Sequence, residues 1–404
     1  MKLSSLHFFA LALFSSTPTL ALEDWPQHMG PHGDGMSRET KWENQGRSVW
    51  EARVGLGYST VSVVGNRLYT IGWEQKGEDE KSGEDVVRCL DSGTGEVVWS
   101  HRYPAQKWAK YHGGGTSTTP SIDGDRVYVV NREASFRCLD TATGKLHWAR
   151  SLGEGLELET PTWGFAASPL ILDDTVIVNV GVIMSCDKES GDPTWKTEKD
   201  YGHAYSTPTV FEYEGRSLLA VFCGSGLVIL DRATGKEIAF QEWKTKYDVN
   251  AASPVLVGSD RFFISSGYGR GGAMVQFTGD ALEVAWETKS MRNHMDTSCW
   301  IGDHLYGLDE AVLKCFDAEG EMVWSQRGIG KGAMSAAGDR LLVVSGEGEL
   351  IVVEATPAEY RELSREKVVD GGVYWTMPVL VDGRIYARSS SGHLVCRDHS
   401  GGAQ

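Results

Sequence analysis

A segment of twelve residues recurs along the chain, and this repeat restricts the possible folds more than any other feature of the sequence. It reads RCLDTATGKLHW at residues 137–148 and RCLDSGTGEVVW at residues 88–99. Less regular copies lie at residues 185–195, 229–238, 275–286, 314–324, 350–355 and 394–398. The residues in the aspartate slot, spaced 37 to 49 positions apart, are Asp91, Asp140, Asp187, Asp231, Thr278, Asp317, Glu354 and Asp398. A repeat of this period is typical of a propeller or a solenoid, not of a pair of conventional domains.

Each repeat predicts four short β-strands. Upstream of the aspartate, runs such as residues 125–130 and 136–139 alternate and are rich in β-branched and aromatic residues, which indicates strands. The Asp-x-x-Thr-Gly segment has the composition of a tight turn, and one more strand follows it. A proline entry such as Thr119-Pro120 precedes the first strand, where the missing N–H group is tolerated. Four strands at this period describe one blade of a propeller.

The two ends of the repeat region complement each other. Only residues 399–404 follow Asp398, so the eighth repeat lacks an outer strand of its own. Residues 48–54 form an unassigned strand that contains Trp50, the tryptophan that the eighth repeat lacks. Pairing these segments would remove the exposed sheet edges. We therefore predict an all-β fold over residues 48–404: an eight-bladed β-propeller of four-stranded antiparallel blades, closed by the N-terminal strand.

Two further segments precede the propeller. Residues 1–21 combine Lys2, an apolar stretch and small residues near Ala21, which predicts a secretory signal peptide and not a membrane span. No cysteine lies near the cleavage region, so we expect a periplasmic or secreted protein without a lipid anchor. Residues 22–47 form an N-terminal arm that we expect to pack over the ring, anchored by Trp25. Its histidines and aspartates do not show a diagnostic metal-ligand spacing, so no metal site is predicted.

Charge restricts the possible partners. The formal net charge is −16, which disfavours nucleic acid and anionic membrane surfaces. A protein, a glycan or a small ligand remains possible as the partner.

Four of the seven cysteines, Cys89, Cys138, Cys315 and Cys396, occupy one slot of the repeat, two positions before the aspartate slot. Equivalent positions in separate blades are too far apart for disulfide geometry, and an unpaired cysteine packs as a small apolar residue. We expect these four to be core residues. The sequence does not determine the pairing of Cys186, Cys223 and Cys299.

The loops that lead into the innermost strands are rich in aromatic and polar side chains. In a propeller these loops meet at one mouth of the central channel, which makes that mouth the expected binding pocket. His203 and His294 could there share a metal or act as acid and base. Arg270, on a glycine-rich loop, is either an anion ligand or an ordinary surface arginine. The candidate ligand-binding residues at this channel mouth are His112, Trp163, His203, Tyr205, Asn250, Arg270, His294, Asp296 and Trp375.

The Leu-Asp-x-x-Thr-Gly-x-x-x-Trp signature at residues 90–99 and 139–148 resembles the repeat of pyrroloquinoline quinone (PQQ) dependent alcohol dehydrogenases and of related non-enzymatic propellers such as BamB. The arm sequence DWPQHMGPHGDG resembles the start of a planctomycete-type group of secreted PQQ-like propellers. The resemblance implies that the repeat tryptophans pack between adjacent blades as structural residues. These are Trp50, Trp99, Trp148, Trp195, Trp286 and Trp324.

The resemblance does not extend to the catalytic equipment of those dehydrogenases. The chain has neither the adjacent Cys-Cys pair that the family places against PQQ nor a Cys-x-x-Cys-His haem site. Asp296 and Asn250 have the residue types of the family's catalytic aspartate and of one of its calcium ligands, but the sequence does not assign them these roles. We therefore expect a non-catalytic binding or scaffold protein that acts through the mouth loops, without cofactor. A PQQ- and calcium-dependent alcohol or sugar dehydrogenase is the alternative, and enzymatic activity stays uncertain.

Overall fold

The computed structural model describes residues 23–158, 160–203 and 205–401. These residues form eight β-sheets and contain no helix. Accordingly, no helix of this part of the chain has the length and apolar character needed to cross a membrane. The predicted all-β, eight-bladed propeller is confirmed, whereas the predicted signal peptide, residues 1–21, lies outside the described residues.

The blades follow one another along the chain, and each blade is an antiparallel sheet of four strands. Blade 1 consists of Ser62–Val64, Arg67–Gln75, Ser82–Asp91 and Val97–Gln106, and blade 2 of Ser121–Asp123, Arg126–Val130, Ser135–Asp140 and Leu146–Ser151. Blade 3 consists of Leu170–Leu172, Thr175–Val180, Val182–Asp187 and Pro193–Lys196, and blade 4 of Thr209–Tyr213, Arg216–Cys223, Gly226–Asp231 and Glu237–Glu242. Blade 5 consists of Val255–Val257, Arg261–Ser266, Gly271–Phe277 and Leu282–Thr288, and blade 6 of Cys299–Ile301, His304–Asp309, Val312–Phe316 and Met322–Gln326. Blade 7 consists of Ala333–Ala337, Arg340–Val344, Glu349–Glu354 and Arg361–Lys367, and blade 8 of Val379–Val381, Arg384–Arg388, His393–Asp398 and Arg47–Arg53. The first strand of each blade lines the central channel.

The N-terminal strand closes the ring, as predicted. Arg47–Arg53 pairs antiparallel with His393–Asp398, the last strand of the chain, and so forms the outer strand of blade 8. Trp50 lies opposite Cys396 in this pair, in the same way as Trp99 lies opposite Cys89 in blade 1. The end strands therefore supply one complete repeat between them.

Each repeat tryptophan joins its blade to the next one. Its indole N–H group donates to a backbone carbonyl just after the aspartate slot of the following blade, at 2.8–3.3 Å. The pairs are Trp50 with Ser92, Trp99 with Thr141, Trp148 with Lys188, Trp195 with Arg232, Trp286 with Ala318 and Trp324 with Thr356. In five of these junctions the indole also lies on the turn glycine of the following repeat, where a Cβ atom would overlap the ring. The glycine and the tryptophan of the repeat thus meet between blades and not within one blade.

The N-terminal arm lies inside the channel. Trp25, which is fully buried, exchanges two backbone hydrogen bonds of 2.8 Å with Val63 of blade 1. The arm then accepts hydrogen bonds from the backbone of Ile122 in blade 2 and of Ile171 in blade 3. Its short strand Met36–Ser37 pairs in parallel with the first strand of blade 7, which becomes five-stranded. The arm therefore crosses from one side of the ring to the other, a path that the sequence did not predict.

All seven cysteines lie in the described part of the chain, where they are buried and unpaired. The four cysteines of the repeat slot pack in the cores of their blades. Cys186 and Cys223 are likewise fully buried, and Cys299 is 1% exposed. Burial raises the pKa of all seven thiols, to about 11 for Cys89 and to about 12 for Cys186, which keeps them in the unreactive protonated form.

Candidate functional site

A belt of hydroxyl groups lines the channel in blades 1 to 6, just before the innermost strands: Thr60, Thr119, Ser168, Thr207, Ser253 and Thr297. The backbone N–H of Thr60 donates to Oγ1 of Thr119 in the next blade at 3.2 Å. In the same way, the backbone N–H of Thr119 donates to Oγ of Ser168 at 2.9 Å, and that of Ser168 to Oγ1 of Thr207 at 3.0 Å. In blades 5 and 6, the backbone N–H of Ser253 donates to Oγ1 of Thr297 at 3.0 Å. The hydroxyl residues at this position therefore cross-link blades 1 to 4 and blades 5 and 6 along the channel, at the base of the loops above it.

A pocket of about 150 Å³ lies at this mouth of the channel. Its base is formed by residues of the belt, and His28 and Met29 of the arm contribute to its lining from inside the channel. The arm therefore closes the channel beneath the pocket. The aromatic residues of the wall are Tyr58, Trp108, His112, Trp163, Tyr205 and Trp375.

The aromatic rings form a continuous arc across five blades. Trp375 stacks on Tyr58 with ring centroids 5.7 Å apart and an interplanar angle of 18°. The imidazole of His112 meets Trp375 edge-on at 5.1 Å and lies parallel to Trp163 at 6.0 Å. Trp163 in turn contacts Tyr205 at 6.2 Å. Side chains that support one another in this way hold fixed orientations, so the wall is preorganised for a flat ligand face.

The polar group at the base of the pocket is the carboxyl of Asp296. Its side chain is buried, and Oδ1 accepts a hydrogen bond of 3.2 Å from the backbone of Met334 in blade 7. Oδ2 has no hydrogen-bond partner among the described residues. Burial raises the pKa of Asp296 to about 8, against smaller opposing effects of the Met334 and Thr297 backbone N–H groups. At neutral pH this group is a carboxylic acid and can donate a hydrogen bond.

The nearby imidazoles are neutral as well. Burial inside the channel lowers the pKa of His28 to about 4. Burial also lowers the pKa of His112, and the positive charge of Lys331 acts in the same direction. The imidazoles and the carboxyl of the pocket lining are therefore neutral at pH 7. Lys110, which is exposed, is the cation among the described lining residues.

Five of the nine residues predicted at the mouth line this pocket together: His112, Trp163, Tyr205, Asp296 and Trp375. The other four have different surroundings. Asn250 is fully buried, and its Nδ2 donates to the carbonyls of Cys223 at 2.7 Å and Trp243 at 3.1 Å, so its amide supports the backbone. Arg270 lies 3.3 Å above the ring centroid of Trp243 and pairs with Glu287 at 3.1 Å.

His203 and His294 lie outside the lining of the pocket. The ring of His203 contacts Tyr205 edge-on at 6.0 Å. His294 belongs to a separate cluster, in which its Nδ1 lies 2.6 Å from Nζ of Lys331 and 3.3 Å from Glu310. Hydrogen bonding to His294, together with Lys331, lowers the pKa of Glu310 to about 2. His294 is thus engaged by a charged pair and does not meet His203 at a shared site.

The nine sequence candidates leave out four aromatic, imidazole or lysine side chains of the lining: Tyr58, Trp108, Lys110 and His28. Tyr58 precedes the hydroxyl belt by two positions, as do Tyr205 and Trp375, so its spacing was an available signal. Trp108 and Lys110 come from a long loop, and Trp108 adopts a left-handed φ of 52° that is unusual for a bulky residue. His28 reaches the pocket from the arm, which nothing in the repeat indicates.

PQQ and calcium do not fit this donor set. Calcium requires about six to eight oxygen ligands, mostly carboxylates and carbonyls. Among the described lining residues, Asp296 alone carries a carboxyl group. Nowhere in the described ranges do three or more His, Cys, Asp or Glu side chains form a group that could hold a metal ion. PQQ itself carries several carboxylates, for which the wall offers the single cation Lys110.

Comparisons with solved structures show the fold. BamB from Moraxella catarrhalis is 18% identical with a TM-score of 0.62, covering 89% of this chain and 99% of that chain. Quinohemoprotein alcohol dehydrogenase from Comamonas testosteroni is 14% identical with a TM-score of 0.70, and the match covers 94% of this chain and 81% of that chain. The computationally designed protein Ika8 is 10% identical with a TM-score of 0.59, and the match covers 88% of this chain and 99% of that chain. No curated protein matches the sequence.

A family model matches most of the chain. The model for the outer membrane protein assembly factor BamB aligns with residues 83–326 and again with residues 308–404. The predicted resemblance to PQQ-like propellers related to BamB and to the quinoprotein dehydrogenases is confirmed by this match and by the structural neighbours. The chain therefore belongs to the propeller family described as outer membrane protein assembly factor BamB.

Proposed function

We propose that this protein is a secreted or periplasmic binding propeller that holds a ligand in the mouth pocket and performs no chemistry on it. The observation that carries the proposal is the aromatic pocket, which the N-terminal arm closes from inside the channel. A concave site with aromatic walls and few, fixed polar groups is the usual form of a ligand-binding pocket.

Asp296 supplies the pocket with a polar group that can hold a ligand. Its pKa is raised to about 8, so at pH 7 the carboxyl can donate a hydrogen bond to a polar group of a ligand. A carboxyl whose pKa lies near the working pH is also suited to accept a hydroxyl proton, so the binding proposal depends on the shape and aromatic lining of the pocket and not on the protonation state of Asp296.

The alternative function is a PQQ- and calcium-dependent alcohol or sugar dehydrogenase. The likeness to quinohemoprotein alcohol dehydrogenase is the observation in its favour, although at 14% identity it supports the fold only. The BamB family membership instead supports a binding role, since that family is described by an assembly factor.

One experiment separates the two functions. The purified full chain is mixed with PQQ and Ca²⁺, the quinone absorption of the protein fraction is recorded after desalting, and alcohols and sugars are then added with an artificial electron acceptor. We expect no retained quinone and no dye reduction. Stoichiometric quinone with dye reduction would overturn the proposal in favour of the dehydrogenase.

A further inference from the structure

Asp296 departs from the repeat at a position that all eight blades share. The equivalent residue, one before the hydroxyl belt, is small in the other seven blades, and none of these residues is charged: Ser59, Thr118, Ala167, Ser206, Ala252, Gly332 and Thr376. In blades 1, 2 and 4 the hydroxyl at this position donates to a backbone carbonyl. A carboxyl here is not required by the propeller, because the other blades pack without one. Its presence beside the pocket points to a ligand.

The belt is interrupted on the same side of the channel. Blades 7 and 8 carry Ala333 and Met377 at the belt position and therefore lack the bridging hydroxyl. Four buried polar atoms of the pocket lining have no hydrogen-bond partner among the described residues: Oδ2 of Asp296, Oγ1 of Thr376 and the hydroxyl oxygens of Tyr58 and Tyr205. Asp296 and Thr376 lie on the interrupted side of the belt. Buried polar groups without partners are costly, so they mark a place where a ligand or ordered water completes the bonding.

The opposite side of the pocket is aromatic. His112, Trp163 and Tyr205 lie in the loops before blades 2, 3 and 4, respectively, across the ring from Asp296 in blade 6. A ligand that fits both sides must present an apolar face to the aromatic rings and hydroxyl or carbonyl groups to Asp296 and Thr376. An uncharged ligand suits the pocket best, because the exposed Lys110 is the one cationic side chain among the described lining residues and lies at the rim, and a charge buried without a partner is penalised.

We propose that the mouth pocket binds a neutral, hydroxyl-bearing six-membered ring of the kind a pyranose sugar residue presents, with its C–H face on Trp163 or Trp375 and a hydroxyl hydrogen-bonded to Asp296. A pyranose combines both required features, because its axial hydrogens form an apolar face while its edge carries hydroxyls. This inference rests on the proposed binding function and names its ligand class.

The test uses the full chain and tryptophan fluorescence. The probes are methyl β-D-glucopyranoside, methyl β-D-galactopyranoside and methyl α-D-mannopyranoside, each up to about 100 mM, with glucuronate as a charged counterpart. We expect at least one neutral glycoside to give a saturable signal at pH 7 and glucuronate to bind at least 10-fold more weakly. At least one of Trp163→Ala and Trp375→Ala should weaken binding about 10-fold or more, the loss expected for an aromatic stacking contact. Tyr247→Ala, which removes an exposed aromatic residue outside the lining, should leave binding unchanged.

A pH series isolates the role of Asp296. Affinity for the neutral glycoside should fall as pH rises from 7 to 9.5 and Asp296 ionises, whereas Asp296→Asn, whose amide donates at any pH, should bind with a flat pH profile. His28 and His112 are already neutral at pH 7, and burial raises the pKa values of Tyr58, Tyr205 and Cys299, which stay protonated across this range.

The outcomes separate this inference from the proposed function. A saturable response to PQQ or glucuronate with none to the neutral glycosides would overturn the sugar class but would keep the pocket as a binding site. The absence of a saturable signal with all three glycosides would also overturn the sugar class, as would binding that is unchanged in both Trp163→Ala and Trp375→Ala.

Discussion

The indole of Trp50 lies on Gly95, although the two residues belong to blades at opposite ends of the chain. A Cβ atom at Gly95 would come within 2.6 Å of the ring, and the backbone there has a left-handed φ of 74°. The indole N–H donates to Ser92 at 3.0 Å in the same turn. The junction between blade 8 and blade 1 thus uses the same contact as the junctions that follow blades 1, 2, 3 and 5.

Gly95→Ala should destabilise the protein more than an alanine at an unobstructed turn. The left-handed φ alone costs roughly 1–2 kcal/mol for a residue with a Cβ atom, and the clash with Trp50 adds roughly 1–3 kcal/mol of overpacking. Gly65→Ala is the matched control, because Gly65 has a φ of 54° and open space around it. Guanidinium denaturation of both variants measures the difference. Equal losses would show that Trp50 does not press on Gly95.

Trp50→Ala should open the ring. The substitution removes a large buried side chain, which costs roughly 3–5 kcal/mol, and it loosens the strand Arg47–Arg53, which is held by pairing with His393–Asp398 and by Trp50. We expect trypsin to cleave at Arg47 or Arg53 in the variant under native conditions. Trp99→Ala should lose similar stability but keep this strand protected. Equal protection in both variants would contradict the role of Trp50 in closure.

The repeat made the ring predictable because it contains both halves of the blade junction. Tryptophan and glycine recur at fixed positions, so the one orphan tryptophan, Trp50, indicated where the chain closes. The pocket was less predictable because its loops have different lengths. Tyr58 and Trp375 stand two residues before the belt, whereas His112 stands seven before Thr119, and no common spacing shows which loop residues face the channel.

The surroundings of side chains in the arm and in the interior of the blades were equally hard to predict from the sequence. His28 is far in sequence from the loops with which it shares the pocket, and only the path of the arm through the channel brings them together. Asn250 has the residue type of a ligand, yet three backbone carbonyls and Ser266 occupy its amide. Residue type and position in a loop do not distinguish a side chain that supports the backbone from one that lines a pocket.

The seven thiols should be unreactive in the folded protein. Each is buried, and burial raises the pKa of each thiol, so little thiolate is present at pH 8. Ellman's reagent should therefore detect almost no thiol in native protein and all seven after denaturation in guanidinium without reductant. Fewer than seven in the denatured sample would reveal a disulfide, and fast native reaction would show an exposed cysteine.

Asp296→Asn should stabilise the protein increasingly as the pH rises. Folding raises the pKa of Asp296 from 3.8 to about 8 because burial disfavours its charge. The folded chain therefore keeps a proton that the unfolded chain releases, and the wild-type free energy of unfolding falls as the pH increases from about 4 to about 8. The variant has no such group, so its melting temperature should match the wild type near pH 4 and exceed it at pH 8.

Asp309→Asn is the control with the opposite sign. Burial alone would raise the pKa of Asp309, but Arg292 and Lys314, each 2.6 Å from the carboxylate, outweigh it and lower the pKa. Its charge stabilises the fold at neutral pH, and removing it should lower the melting temperature at pH 7 by more than at pH 3. If Asp296→Asn instead lowered the melting temperature at pH 8, the carboxylate of Asp296 would have to be charged and compensated in the folded protein, and its role as a neutral hydrogen-bond donor would be wrong.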